Sequence, residues 1–108
     1  MKVYDMDGYN WVAANSKKEA VEWFINRFNL NYKDMEKPNP VECDLDNDGV
    51  WIEKEFLDKM KFNYKGRKKE EWDGETGLTC PICIWVSYRE ALEIYNSTEP
   101  FLIDSIEF

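Results

Sequence analysis

Apolar and polar residues alternate with a period of two near both ends of the chain, and follow a helical period in three stretches between them. Lys2 to Met6 and Tyr9 to Ala14 read as short strands joined at Asp7-Gly8, a dipeptide suited to tight hairpin turns, with Val3, Trp11 and Val12 on the buried side. Ser16 and Glu19 have the spacing of a capping box, in which the hydroxyl takes a helix N–H and the carboxylate reaches back to the cap's own amide. Ala20, Val21, Phe24, Ile25 and Phe28 then form one apolar stripe at helical spacing, ended by Asn29 or Asn31. Pro38 and Pro40 exclude a regular helix from the connector 31–40.

Val41, Cys43 and Leu45 alternate with polar neighbours, as a strand entering an acidic turn would, and Val50 and Ile52 suit the returning strand of a hairpin. Phe56, Leu57 and Met60 restore helical spacing between Glu53 and Phe62. Leu78 to Val86 is an apolar run interrupted by Pro81, which reads as a strand buried on both faces for part of its length. Ser87 and Glu90 make a second capping box, opening a helix with Tyr88, Ala91, Leu92 and Tyr95 inward. Pro100 to Phe108 closes the chain as a strand, with Phe101, Ile103, and Ile106 or Phe108 inward. The order of elements predicts a single α+β domain over 1–108: a small mixed or antiparallel sheet with two or three helices packed on one face.

Composition narrows the chemistry. Hydrophobic residues are 44% and aromatics 16%, which suits a dense core and not a disordered chain. The net charge is −8 and there is no histidine, so histidine acid/base catalysis, histidine metal ligation and a Ser-His-Asp triad are excluded. An acidic chain is a poor direct binder of nucleic acid, which needs lysine and arginine to displace counterions. A positively charged protein surface is the expected partner. No apolar run approaches a membrane span or a signal peptide's hydrophobic segment, and three cysteines, an odd count, fit a reducing cytoplasm.

One spacing could name a chemistry. Asp44, Asp46, Asp48, Gly49 and Glu55 fit the calcium loop D-x-D-x-D-G-x5-E, with the Val50 carbonyl as a further ligand. Against it stand the prolines where an entering helix should be, Trp51 and Ile52 at loop positions 8 and 9, and the lack of a second loop. The plain alternative is an Asp/Asn-Gly turn with solvated carboxylates. Cys80 and Cys83 make one C-P-I-C lying in a strand, short of the four ligands zinc needs, and read as buried structural thiols. Lys59 to Lys69 holds six basic residues with Phe62 and Tyr64 interleaved, which could meet phosphates and bases or form a solvated loop. Asp34 to Asp58 holds nine carboxylates, which can imitate a phosphate backbone on the surface or serve solubility alone. No carboxylate pair is singled out for catalysis, and neither a Gly-rich phosphate loop nor a nucleophile elbow is present, so an enzyme is not expected.

Two segments carry a resemblance. Trp11-Val12-Ala13-Ala14-x-Ser16 leading into Glu19-Ala20, and Ser87-Tyr88-Arg89-Glu90-Ala91-Leu92, resemble small acidic proteins encoded by phages and prophages of low-GC Gram-positive bacteria. These motifs are structural, strand into capped helix, and transfer an origin but no functional residues. The resemblance implies a cytoplasmic, non-enzymatic inhibitor of a host defence protein, anti-CRISPR-like, whose partner is a basic nucleic-acid-handling effector. Asp44, Asp46, Asp48, Glu53 and Glu55 are then the candidate contact residues, with Trp51 as aromatic anchor. Two readings stay beside it: a calcium module using 44–55, and a protein that sequesters a small molecule or nucleotide in a pocket lined by Tyr4, Trp11 and Arg89.

Overall fold

The computed structural model describes residues 1–29, 39–71 and 82–105. Within these, β1 (Lys2–Asp5) and β2 (Asn10–Ala14) form a hairpin, followed by α1 (Lys17–Phe28) and β3 (Val41–Glu42). Next come β4 (Gly49–Glu53), α2 (Lys54–Lys59), β5 (Lys69–Glu71), β6 (Ile82–Ser87), α3 (Tyr88–Tyr95) and β7 (Phe101–Ser105). The fold is α+β, and every strand pair is antiparallel.

The expected single sheet is divided into two. The first has the order β3-β1-β2-β7 and the second β4-β6-β5. The anticipated hairpin across the acidic turn does not form: β3 joins β1 in the first sheet, while β4 joins β6 in the second. Residues 43–48 therefore carry the chain from one sheet to the other. Periodicity reports that two segments are strands, and it carries no information about which neighbour each one meets.

The first sheet is buried on both faces. Val3 pairs with Ala13 and Tyr4 with Val12, and alternate residues point to opposite faces. Tyr4, Met6, Val12 and Ala14 pack with Ala20 and Phe24 beneath α1. Val3, Ala13 and Ile103 join Val50, Ile52, Ile84 and Val86 of the second sheet, with Leu57 of α2 and Ala91 and Ile94 of α3. The helices thus lie on opposite sides of the first sheet, a correction to the one-sided layer expected from element order. Ile94, not Tyr95, completes the inner stripe of α3; Tyr95 is exposed, its ring 5.6 Å from Phe56 and 5.5 Å from Phe101.

Local signals fix the boundaries. Asp7 Oδ1 accepts from the amides of Tyr9 and Asn10 (2.9 and 2.8 Å), and Gly8 adopts φ +82° in the hairpin turn. Ser16 Oγ accepts from the Glu19 amide at 3.1 Å, while the Glu19 carboxylate takes the amide of Asn15, one residue upstream of the cap. The Ser87–Glu90 capping box is complete in both directions. Asn29 and Asn96 end α1 and α3 in the left-handed region, a role asparagine tolerates. The connector through Pro38, the run from Leu78 to Pro81 with Cys80, Trp72, Ile106 and Phe108 lie outside the described residues.

Gly49 has a packing reason to lack a side chain. A Cβ there would lie 2.3 Å from the Val86 carbonyl oxygen and 2.7 Å from two atoms of the Trp85 indole. Gly49→Ala is expected to lower stability by about 1–3 kcal/mol through overpacking, measured as a shift in the urea midpoint. An unshifted midpoint would show that the β4–β6 backbone and Trp85 give way without cost.

Candidate functional site

The acidic turn is built by its own side chains. Asp44 Oδ1 accepts from the amides of Asp46 (2.9 Å) and Asn47 (3.1 Å), and Asp44 Oδ2 accepts from the Asn47 side chain at 2.7 Å. Asp48 Oδ2 accepts from the Asp44 amide at 3.1 Å, and the Asp48 amide donates to the Asp44 carbonyl at 3.0 Å. Short aspartates favour such turns because their carboxylates reach backbone amides two and three residues on.

Both ends of the turn are tied down. The Cys43 amide donates to the Val3 carbonyl at 2.8 Å, fastening the entry to β1. The amides of Tyr88 and Arg89, in the unsatisfied first turn of α3, donate to the carbonyls of Asp48 and Leu45, each at 3.0 Å. Arg89 then grips Asp46 through two bonds, Nε to Oδ1 at 2.7 Å and Nη2 to Oδ2 at 3.2 Å. The Asn47 side chain and the neighbouring amides hold the Asp44 carboxyl below its ordinary value, and the Arg89 guanidinium does the same for Asp46.

This arrangement does not gather a calcium shell. Among the described residues, no group of three or more cysteine, aspartate or glutamate side chains is placed to hold a metal ion. Asp44 and Asp48 spend oxygens on backbone amides, and Asp46 turns to Arg89. Val50 lies in β4 opposite Val86, and Glu55 sits on α2 at the far end of that strand. The glycine of the motif differs in role as well: a calcium loop uses it for a sharp turn, whereas among described glycines only Gly8 and Gly66 have positive φ. A self-capped turn and the close approach of Gly49 to the Val86 carbonyl and the Trp85 indole account for the same residues.

The candidate contact residues separate into two groups. Asp44, Asp46 and Asp48 come together at the turn; Glu53 and Glu55 lie at the other end of β4, about 17 Å on at strand spacing. Trp51 stands between them on the outer face, 37% exposed and paired with Trp85. The basic tract is not a stacking platform. Phe62 and Tyr64 pack against the core, Tyr64 donates to Asp58 at 2.7 Å, and Arg67 lies over Phe62 and bridges to Glu90.

Beside the turn is an open cleft of about 330 Å³, lined by Asp5, Trp11, Val41, Glu42, Cys43, Asp48, Gly49 and Tyr88. No family model, no curated protein and no solved structure matches this chain. The function must therefore be read from the turn and the cleft themselves. Of the pocket residues expected from sequence, Trp11 lines the cleft; Tyr4 is buried on the α1 side and Arg89 is committed to Asp46. Asp5 and Tyr88 were not anticipated as site residues, since only the pairing of β3 with β1 and the seating of α3 bring them together. Burial, then Asp48 and Asp5, pushes the Cys43 thiol up to about 11, so it stays protonated and unreactive at neutral pH. Burial pushes the Tyr88 phenol up also, with Asp104, Cys43, Asp48 and Asp5 adding to it.

The depressed Asp44 and Asp46 carboxyls give the turn a pH dependence of known sign. Their stabilising effect is in place above the unfolded value of about 3.9 and is lost as pH falls through the lower folded values. The amide resonances of Asp46 and Asn47 are expected to move together below about pH 4, and Asp44→Ala to lower the melting temperature at neutral pH. A melting temperature equal to wild type in Asp44→Ala would remove the turn's self-capping from the account.

Proposed function

We propose that this protein works by binding: its acidic surface engages a positively charged face of a host protein, in place of nucleic acid, and blocks it without catalysis. In the form favoured by the phage-like strand-to-capped-helix segments, the chain is a phage-encoded, anti-CRISPR-like inhibitor of a defence effector. The observation that carries the reading is the turn at 44–48. Its carboxylates are fixed outward on a rigid support, with a half-exposed tryptophan on the adjacent strand. Preorganised charge loses little conformational entropy on binding, and an aromatic residue beside it suits an interface. No helix among the described residues is long and apolar enough to cross a membrane.

The structure changes how this reading is tested. Reversing Asp44, Asp46 and Asp48 would break the turn's hydrogen bonds as well as its charge, so loss of binding in that variant would be ambiguous. Glu53 and Glu55 are exposed and have no such duty, and Trp51 lies beside them. In affinity capture from the host, wild type is expected to retain one basic protein that is released by about 0.5–1 M salt, where exposed charges are screened. The Glu53→Lys/Glu55→Lys chain and Trp51→Ala are each expected to retain at least about fivefold less. The charge variant should keep its melting temperature, and Trp51→Ala should have a lowered one, since it loses the cross-strand pair with Trp85, but still be folded. Retention of the same protein in 1 M salt by all three chains would remove the acidic surface from the mechanism.

A further inference from the structure

The cleft beside the turn is lined by a buried hydroxyl without a described partner. Tyr88 is 3% exposed and lines the cleft. Its hydroxyl makes no hydrogen bond to any described residue, and the charges that act on it are those of Asp104 and of the cleft residues Cys43, Asp48 and Asp5. A buried hydroxyl is ordinarily satisfied. The carboxylates around it are half used in the same fashion. Asp5 Oδ1 accepts from the Gly8 amide at 2.7 Å and Asp48 Oδ2 from the Asp44 amide, each bond fixing a carboxylate. Asp5 Oδ2 and Asp48 Oδ1 have no described hydrogen-bond partner. Glu42 is paired with Lys2 at 2.8 Å, and Asp104, opposite Trp11 in the sheet, has its carboxyl raised by burial.

The walls therefore present acceptors, negative charge and the Trp11 indole. The matching guest is a compact cation that only donates hydrogen bonds. We infer that the cleft takes one arginine side chain of the protein partner, its guanidinium shared among Asp5, Asp48 and the Tyr88 hydroxyl, with Trp11 along its flank. Arginine fits better than lysine because a planar fork of five donors can meet several fixed acceptors at once and stack on an aromatic face. The assignment rests on the acidic-surface reading above and names what that surface grips.

The test uses capped tripeptides Gly-Arg-Gly, Gly-Lys-Gly and Gly-citrulline-Gly, titrated into the full ¹⁵N-labelled chain. The arginine peptide is expected to move the amides of Cys43, Gly49 and Tyr88 saturably. The lysine peptide should bind about fivefold or more weakly, and citrulline, which lacks the charge, should leave these amides unmoved. Tyr88→Phe is expected to weaken the arginine peptide about three- to tenfold with the melting temperature unchanged, because its hydroxyl bonds to no described residue. Asp5→Asn keeps an oxygen for the Gly8 amide and removes the charge, and should cost about tenfold. Equal binding of lysine and arginine, shifts spread evenly over all exposed carboxylates, or full affinity in Tyr88→Phe would overturn the assignment. If the host partner is captured by the acidic surface while the peptides leave the cleft amides unmoved, the arginine assignment falls and the acidic-surface reading stands. If the peptides bind but no basic protein is captured, that reading falls and the assignment of the guest to a partner falls with it.

Discussion

The grip of Arg89 on Asp46 is the contact on which the arrangement turns. The two residues are 43 positions apart, one at the start of α3 and the other at the apex of the acidic turn. Around them, the first amides of α3 are satisfied by carbonyls of the turn, and the turn's entry is bonded to β1. One short segment thereby joins two sheets and a helix terminus. A surface ion pair alone contributes little, but here it closes a network whose remaining members are backbone groups that need partners. The acidic residues that look like pure surface charge are first of all the means by which the chain passes between its sheets.

This dual use shapes the functional reading. The carboxylates keep their negative charge, since pairing with amides and Arg89 lowers their affinity for protons. They are also held in fixed positions, which an unstructured acidic loop could not achieve. The cleft inherits the same rigidity on one side, through Asp48 and Gly49, and that of the first sheet on the other, through Asp5 and Trp11. The proposed binding surface and a structural joint occupy the same residues.

Much of the local structure was legible in the chain. Ser16, Ser87 and Glu90 announced two helix starts, Asn29 one stop, and Asp7-Gly8 a turn, because each acts on neighbours within four residues. Apart from Tyr95, which α3 turns outward in favour of Ile94, the departures from expectation are non-local. Val41 and Val50 carry correct strand signals but belong to different sheets. Gly49 matched a calcium loop because the motif records the residue and not its φ, and what leaves no room for a side chain there is the Val86 carbonyl and the Trp85 indole, far along the chain. Asp5 and Tyr88 carried no local mark at all; only the crossing between sheets makes them neighbours. The α+β class survived these errors because it depends on the number and kind of elements, not on their partners.

The pairing of β2 with β7 has a consequence for how the chain acquires its shape. Asn10 lies opposite Ser105 and Trp11 opposite Asp104, so the first sheet is closed by segments from almost opposite ends of the sequence. Such high contact order slows folding, and during synthesis an edge of β2 stays unpaired until the ribosome has released residue 105. A nascent chain of this kind displays that edge to whatever shares its exit site. Vectorial synthesis thus leaves the β2 edge waiting for its partner until the last described strand has emerged.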